Sequence, residues 1–203
     1  MKVKICGLTE KDHVFTCIDN SSDFCGFILN YPKSHRNISF KKAHLLTDIE
    51  KKNTQFVGVL VKPKEEDLKK FSNLNIDYFQ LYGDFSEQDL FEIKKKFKKK
   101  IIYSIQVKKK KDVRKYELYK DVADIILFDS SGYEKSLSWN FDWIKDIPIT
   151  KMIAGNINID MIEKIYSIAD IIDVSGALET NKVKDVSKIK SFLKKIKTIN
   201  NET

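Results

Sequence analysis

The sequence predicts an α/β fold, a single-domain (β/α)8 or TIM barrel over residues 1–203. Three observations carry that expectation. Short, β-rich apolar runs alternate with amphipathic helical patterns from end to end. The length of 203 residues suits one large core and leaves no room for an added domain. Two reactive side chains, Cys6 and Asp129, end two well-separated runs, and they can face each other only if the sheet closes. Because pattern alone does not fix strand order, an open doubly wound sheet competes. It lacks a G-x-G-x-x-G segment that would give it a dinucleotide site.

The first strand, Val3–Cys6, stops at Gly7, and Thr9-x-x-Asp12 reads as the capping box of the next helix. The second, Phe24–Leu29, leads into the polar loop Asn30–Ser39, which Pro32 stiffens and whose Ser39 would cap a helix from Phe40. The third is Phe56–Val61. The fourth, Tyr78–Leu81, precedes a second capping box, Ser86-x-x-Asp89, and a helix ending in lysines, where cations suit the negative end of the dipole. The fifth, Ile101–Ile105, is followed by a periodic segment around Val113–Val122 that is heavily charged and rich in tyrosine. The sixth, Ile125–Asp129, is an apolar run ending in a carboxylate before Ser130-Ser131-Gly132. The seventh, Lys151–Ala154, and the eighth, Ile171–Val174, run into loops of small residues. The last helix carries Val186, Ile189, Phe192, Leu193 and Ile196 at helical spacing. Most of these runs are continuous rather than alternating, as expected of strands covered by helices. Eight strands with eight helices follow, without a linker or an evident short repeat.

Composition narrows the function. At 42% hydrophobic and 33% charged residues the chain is globular. No apolar stretch approaches the roughly 18 residues of a membrane helix, and the N-terminus runs straight into a strand, with no secretory signal. Cys6, Cys17 and Cys25 are odd in number and lack metal spacing, which points to a reducing, cytoplasmic compartment. His13, His35 and His44 are scattered, so no metal is expected. The net charge of +8 raises the possibility of nucleic acid. The lysines, however, cluster in Lys94–Lys100 and Lys108–Lys111, which flank the fifth strand. Both runs read as solvated surface on the amino-terminal face of the barrel, with no nucleic-acid partner and at most a mild steering of anionic substrates.

In such a barrel the chemistry lies at the carboxyl ends of the strands. Cys6 reads either as a small core residue, the commonest fate of a free cysteine, or as a base. As a base it needs a positive neighbour or a helix dipole to ionise it, and Lys4 and Arg36 are the candidate neighbours. Asp129 reads either as a loop cap or as a general acid whose pKa is raised by desolvation. Arg36 is either a surface residue or a fork for a carboxylate or phosphate, and His35 reads as solvent-exposed. Ala154-Gly155-Asn156 and Ser175-Gly176-Ala177 follow neighbouring strands, and their small residues would let backbone N–H groups reach an anion. Asp173, beside them, could hydrogen-bond sugar hydroxyls.

These segments, in this order, resemble the phosphoribosylanthranilate isomerase family. The resemblance is carried by Lys4-Ile5-Cys6-Gly7-Leu8-Thr9, Tyr31-Pro32-Lys33-Ser34-His35-Arg36-Asn37-Ile38-Ser39, Val57–Val61, Phe79-Gln80-Leu81-Tyr82-Gly83 and Leu127-Phe128-Asp129. It continues through Phe141-Asp142-Trp143, Ala154-Gly155-Asn156, Asp173–Thr180 and Lys184-Asp185, so it spans nearly the whole chain. It implies a cofactor-free Amadori rearrangement of a small phosphorylated substrate by a monomer or homodimer. Asp129 would be the general acid and Cys6 the general base. Arg36 would hold the anthranilate carboxylate and Asp173 the sugar hydroxyls, while Gly155, Asn156, Gly176 and Ala177 would cradle the phosphate. The chain departs from the family at Tyr82, where histidine is common, at Asn156 and Lys182, where glycine is common, and in having only Gly132 after Asp129.

Other phosphosugar barrels share the late anion loops. A histidine-pathway isomerase would use paired aspartates, and indoleglycerol-phosphate synthase lysine and glutamate, whereas here the first strand ends in cysteine. A basic RNA-binding module or a non-catalytic barrel would leave Cys6, Arg36 and Asp129 without a purpose.

Overall fold

In the computed structural model, which describes residues 1–130 and 138–202, eight parallel strands close into a barrel in chain order. They are β1 (Lys2–Cys6), β2 (Phe24–Ile28), β3 (Gln55–Val61), β4 (Tyr78–Tyr82), β5 (Lys100–Val107), β6 (Ile125–Ser130), β7 (Lys151–Ile153) and β8 (Ile171–Val174). Closure is made by β8 against β1, with Lys4 opposite Asp173 and Ile5 opposite Val174. The open sheet is therefore excluded. Strand ends fall within two residues of the sequence reading, β5 differing most. Ser131 and Gly132, in the loop after Asp129, lie outside the described residues.

Around the barrel lie α1 (Lys11–Asp19), α2 (Phe40–Thr47), α3 (Glu65–Ser72), α4 (Glu87–Phe97), the one-turn α5 (Ile162–Ile165) and α6 (Val186–Glu202). The expected eight α-helices are thus six among the described residues. After β5 the chain forms a 3-10 segment, Lys110–Leu118, and after β6 a 3-10 turn, Phe141–Ile144. Only Val113 of the first segment is buried, so it lacks the apolar stripe that holds an amphipathic helix against a sheet. No helix of the described residues is long and apolar enough to cross a membrane.

Two caps form as read. The Ser39 side chain accepts from Lys42 N–H, and Ser86 and Asp89 make reciprocal bonds. The Thr9 box does not form: α1 starts at Lys11 with Glu10 in the cap position, one residue too late for Thr9.

The core has two shells. One packs helices on the outer faces of the strands. The other fills the barrel with Phe24, Val57, Tyr78, Ile102, Ile125, Leu127, Met152 and Ile171. Farther toward the carboxyl ends, the inward positions turn polar: Lys4, Gln80 and Asp173 are all buried.

The amino-terminal end hides a repeat that the sequence reading missed. Asp23, Asp77, Asp124 and Asp170 each stand immediately before an even-numbered strand. Each carboxylate accepts the N–H of the first or second residue of the preceding odd strand, namely Val3 at 2.9 Å, Phe56 at 2.7 Å, Ile101 at 2.8 Å and Lys151 at 2.9 Å. For three of them the main-chain carbonyl also accepts from the next odd strand, from Gln55, Lys100 and Lys2 respectively. Each such aspartate therefore ties three strands together.

The lysine runs do not share a face. Lys94–Lys100 precede β5 and lie at the amino-terminal end, as expected, but Lys108–Lys111 follow its carboxyl end and are exposed on the opposite face. A strand of this length places its ends roughly 25 Å apart, so runs flanking it cannot sit together.

Candidate active site

At the carboxyl ends of the strands a cavity of about 410 Å³ opens. Every site residue singled out from the sequence lines it. Cys6 comes from β1, Arg36 from the loop after β2, Asp129 from β6, Gly155 and Asn156 from the turn after β7, and Asp173, Gly176 and Ala177 from β8 and its loop.

Cys6 is a free, buried thiol. Its charged neighbour is Lys4, two residues back and so on the same inward face of β1. Lys4 is 0% exposed and donates to Asp173 Oδ2 at 2.9 Å. Gly26 of β2 makes room for this pair: a Cβ there would lie 3.0 Å from Lys4 Nζ and 3.1 Å from Cys6 Sγ. Burial pushes the Cys6 thiol above its ordinary range, with the Lys4 ammonium pulling the other way. Burial also works against the charge on Lys4, but Asp173 and Cys6 outweigh it and raise its pKa. Asp173 is itself pushed up by burial against the pull of Lys4. Its Oδ1 is buried and has no hydrogen-bond partner among the described residues. Of the two neighbours expected for Cys6, Lys4 acts on it most strongly and Arg36 also interacts with it, joined by Lys184, which the sequence reading missed.

Across the cavity, Asp129 is held at both oxygens. Ser130 N–H donates to Oδ1 at 2.7 Å, and the Tyr82 hydroxyl donates to Oδ2 at 2.7 Å. Burial raises its carboxyl to about 6, with the Tyr82 hydrogen bond as the main opposing influence. Gln80 Nε2 donates in turn to the Tyr82 oxygen at 3.2 Å.

Arg36 does form a fork, and the fork falls on the protein's own Glu179, through Nε at 2.5 Å and Nη2 at 2.9 Å. Lys184 Nζ reaches the same carboxylate at 2.6 Å, and His35, exposed as expected, lies 3.2 Å from it. Burial pushes Glu179 up, but Arg36 and Lys184 outweigh it and hold its carboxyl at about 2. Glu179 and Lys184 sit on a hairpin, β9 (Glu179–Thr180) and β10 (Val183–Lys184). Its turn residues Asn181 and Lys182 both have positive φ, 52° and 65°, the geometry of a tight two-residue turn. Lys182 thus holds the left-handed conformation where the resembled family commonly has glycine. On the other side of Arg36, Gly7 at φ 78° leaves space that any Cβ would take from the arginine stem.

The two small-residue loops meet the cavity side by side. Gly155 (φ 118°) and Asn156 (φ 52°) bend the chain after β7, and Asn156 supplies the left-handed geometry in place of a second glycine. After β8, Gly176–Leu178 form a single 3-10 turn.

A family model described as N-(5'phosphoribosyl)anthranilate (PRA) isomerase matches residues 3–195. The N-(5'-phosphoribosyl)anthranilate isomerase of Thermoanaerobacter pseudethanolicus is 32% identical over 208 residues, covering 98% of this chain and 99% of the relative. A solved phosphoribosylanthranilate isomerase in complex with reduced 1-(o-carboxyphenylamino)-1-deoxyribulose 5-phosphate shares 25% identity at a TM-score of 0.84, covering 98% of this chain and 99% of its own. Monomers generated from the dimeric enzyme of Thermotoga maritima share the fold, with a TM-score of 0.85 at 24% identity and coverage of 98% and 99%.

Proposed function

The chain belongs to the N-(5'-phosphoribosyl)anthranilate isomerase family, and from that premise we propose that Cys6 and Asp129 are the base and acid of its reaction. The reaction is the aldose–ketose isomerisation of tryptophan biosynthesis, from N-(5-phosphoribosyl)anthranilate to 1-(2-carboxyphenylamino)-1-deoxyribulose 5-phosphate. One observation carries the assignment. A thiol on β1 and a carboxyl on β6, three strands apart around a closed barrel, open onto one cavity large enough for a phosphosugar.

Asp129 donates its proton to the furanose ring oxygen. The C1–O bond breaks, and the anilino nitrogen lone pair forms the C1=N bond of a Schiff base. Cys6, as thiolate, takes the proton from C2, and the C–H electrons become the C1=C2 bond of an enolamine while the nitrogen recovers its lone pair. The enolamine gains a proton at C1 and loses the one on its C2 oxygen, giving the ketone. Cofactors have no part in these steps. Lys4 stabilises the thiolate, and burial strengthens that charge–charge interaction.

The remaining assignments rest on complementarity. Arg36, oriented by Glu179, offers the rest of its guanidinium to the anthranilate carboxylate. Asp173 Oδ1, an acceptor without a partner among the described residues, suits a sugar hydroxyl. Gly155, Asn156, Gly176 and Ala177 suit the phosphate. All these groups belong to one chain, so a monomer or a homodimer would hold a whole site. Three free thiols suit a cytoplasmic location.

The test is loss of substrate fluorescence on mixing with enzyme, alongside Cys6→Ser and Asp129→Asn. Turnover in the wild type and its collapse in both variants is expected. Variants as fast as wild type would remove the assignment.

A further inference from the structure

Two inward residues of β4, Gln80 and Tyr82, have no part in the steps above, and Tyr82 departs from the histidine common in the family. We propose that Tyr82 is a positioning residue for Asp129: its hydroxyl aims the carboxyl through the hydrogen bond to Oδ2, and Gln80 fixes the hydroxyl. This rests on the reading of Asp129 as the acid.

The direction of the chain of hydrogen bonds follows from donor chemistry. An amide nitrogen only donates, so Gln80 Nε2, at 3.2 Å, occupies a lone pair of the Tyr82 oxygen. The single phenolic proton is then directed to Asp129, at 2.7 Å. With Oδ1 on the Ser130 amide and Oδ2 on the phenol, the carboxyl plane is fixed at both corners. A carboxyl held this way delivers its proton along one line into the cavity rather than sampling rotamers.

Tyr82 also sets the strength of the acid. The charges facing Asp129 are Lys4 from β1 and Asp173 from β8. Its register partner on β5 is the neutral Gln106, and after β7 the cavity is walled by Ala154. Burial and Asp173 favour the protonated form, whereas the donor hydrogen bond from Tyr82 favours the ionised one. A histidine could bring a charge of its own to this corner. Burial keeps the phenol neutral, since its pKa is pushed well above the ordinary value, so the donor does not change with pH in the working range.

Tyr82→Phe keeps the ring and removes the donor. The lower inflection of the kcat/KM–pH profile is expected to move up by about half a unit or more, with kcat falling more than KM changes. Titration of the 13C-labelled Asp129 carboxyl by NMR should move the same way without reference to turnover. If Tyr82→Phe folds poorly, fluorotyrosine incorporation into the wild-type chain gives the opposite sign: a more acidic phenol donates more strongly and lowers the titration. Asp129→Asn separates the two readings. If it turns over like wild type, Asp129 is not the acid. If it is inactive while neither the Tyr82→Phe profile nor the carboxyl titration moves, the positioning role is overturned.

Discussion

At the amino-terminal end of the barrel Asp23, Asp77, Asp124 and Asp170 repeat one arrangement, a carboxylate bonded to the amide of the neighbouring strand. At the carboxyl-terminal end the inward residues differ from strand to strand: Cys6 on β1, Tyr82 on β4, Asp129 on β6, Asp173 on β8. The repeated end satisfies its polar groups within the protein, with main chain at all four aspartates and with Lys51 and Lys94 as well at Asp77 and Asp124. The varied end leaves an acceptor, Asp173 Oδ1, without a partner among the described residues. With the proposed assignments, stability and reactivity are separated along the barrel axis, with the apolar filling between them.

Substitutions can test that separation. Asp129→Asn should have the largest effect, lowering kcat/KM by about 10²–10⁴-fold while leaving the melting temperature close to wild type. A comparable loss of thermal stability would show that the two ends are not independent. Lys4→Met probes the point where the division fails, because Lys4 is fully buried yet serves the reactive end. Removing it strands Asp173 without its ion pair, so denaturant unfolding should show a loss of about 3–5 kcal/mol together with lost activity. An unchanged midpoint would refute the account of Lys4. Asp77→Ala, at the opposite end, should cost about 1–3 kcal/mol and leave kcat/KM per folded molecule unchanged.

The smallest effect is a pH dependence. Asp129 sits at about 6 and Cys6 above its ordinary range, so near neutrality each group mostly holds the form opposite to the one the reaction needs. As pH rises, thiolate grows tenfold per unit while protonated Asp129 shrinks tenfold per unit, and the product stays constant. Below about 6 Asp129 is already protonated and only thiolate is lost. Above the Cys6 pKa the thiol is already ionised and only the acid is lost. The kcat/KM, corrected for the substrate's own titration, should be flat between the two values and fall outside them. A steady slope through neutrality would contradict the assignment of forms.

Much of this was legible in the chain. Continuous apolar runs located the eight strands, and residues at their carboxyl ends located the cavity. Contacts far apart in sequence were not legible: Arg36 and Glu179 are 143 positions apart, and Tyr82 and Asp129 are 47. That Gln80 and Tyr82 share the face of β4 follows from strand alternation, but which strand they would meet does not. The aspartate repeat could have been found, since each member directly precedes a strand; a spacing of about fifty residues conceals it from a search for short repeats. The face of Lys108–Lys111 was equally available, because residues after a parallel strand emerge at its carboxyl end.

Gly26 has a consequence for directed evolution. Its φ is not in the left-handed region, and glycine weakens a strand, so Gly26→Ala is a substitution that folding propensity alone would favour. The added methyl would instead wedge between the ammonium of Lys4 and the sulfur of Cys6. A library sorted by thermal tolerance and one sorted by growth without tryptophan would then both keep glycine at this position, the first of them against strand propensity.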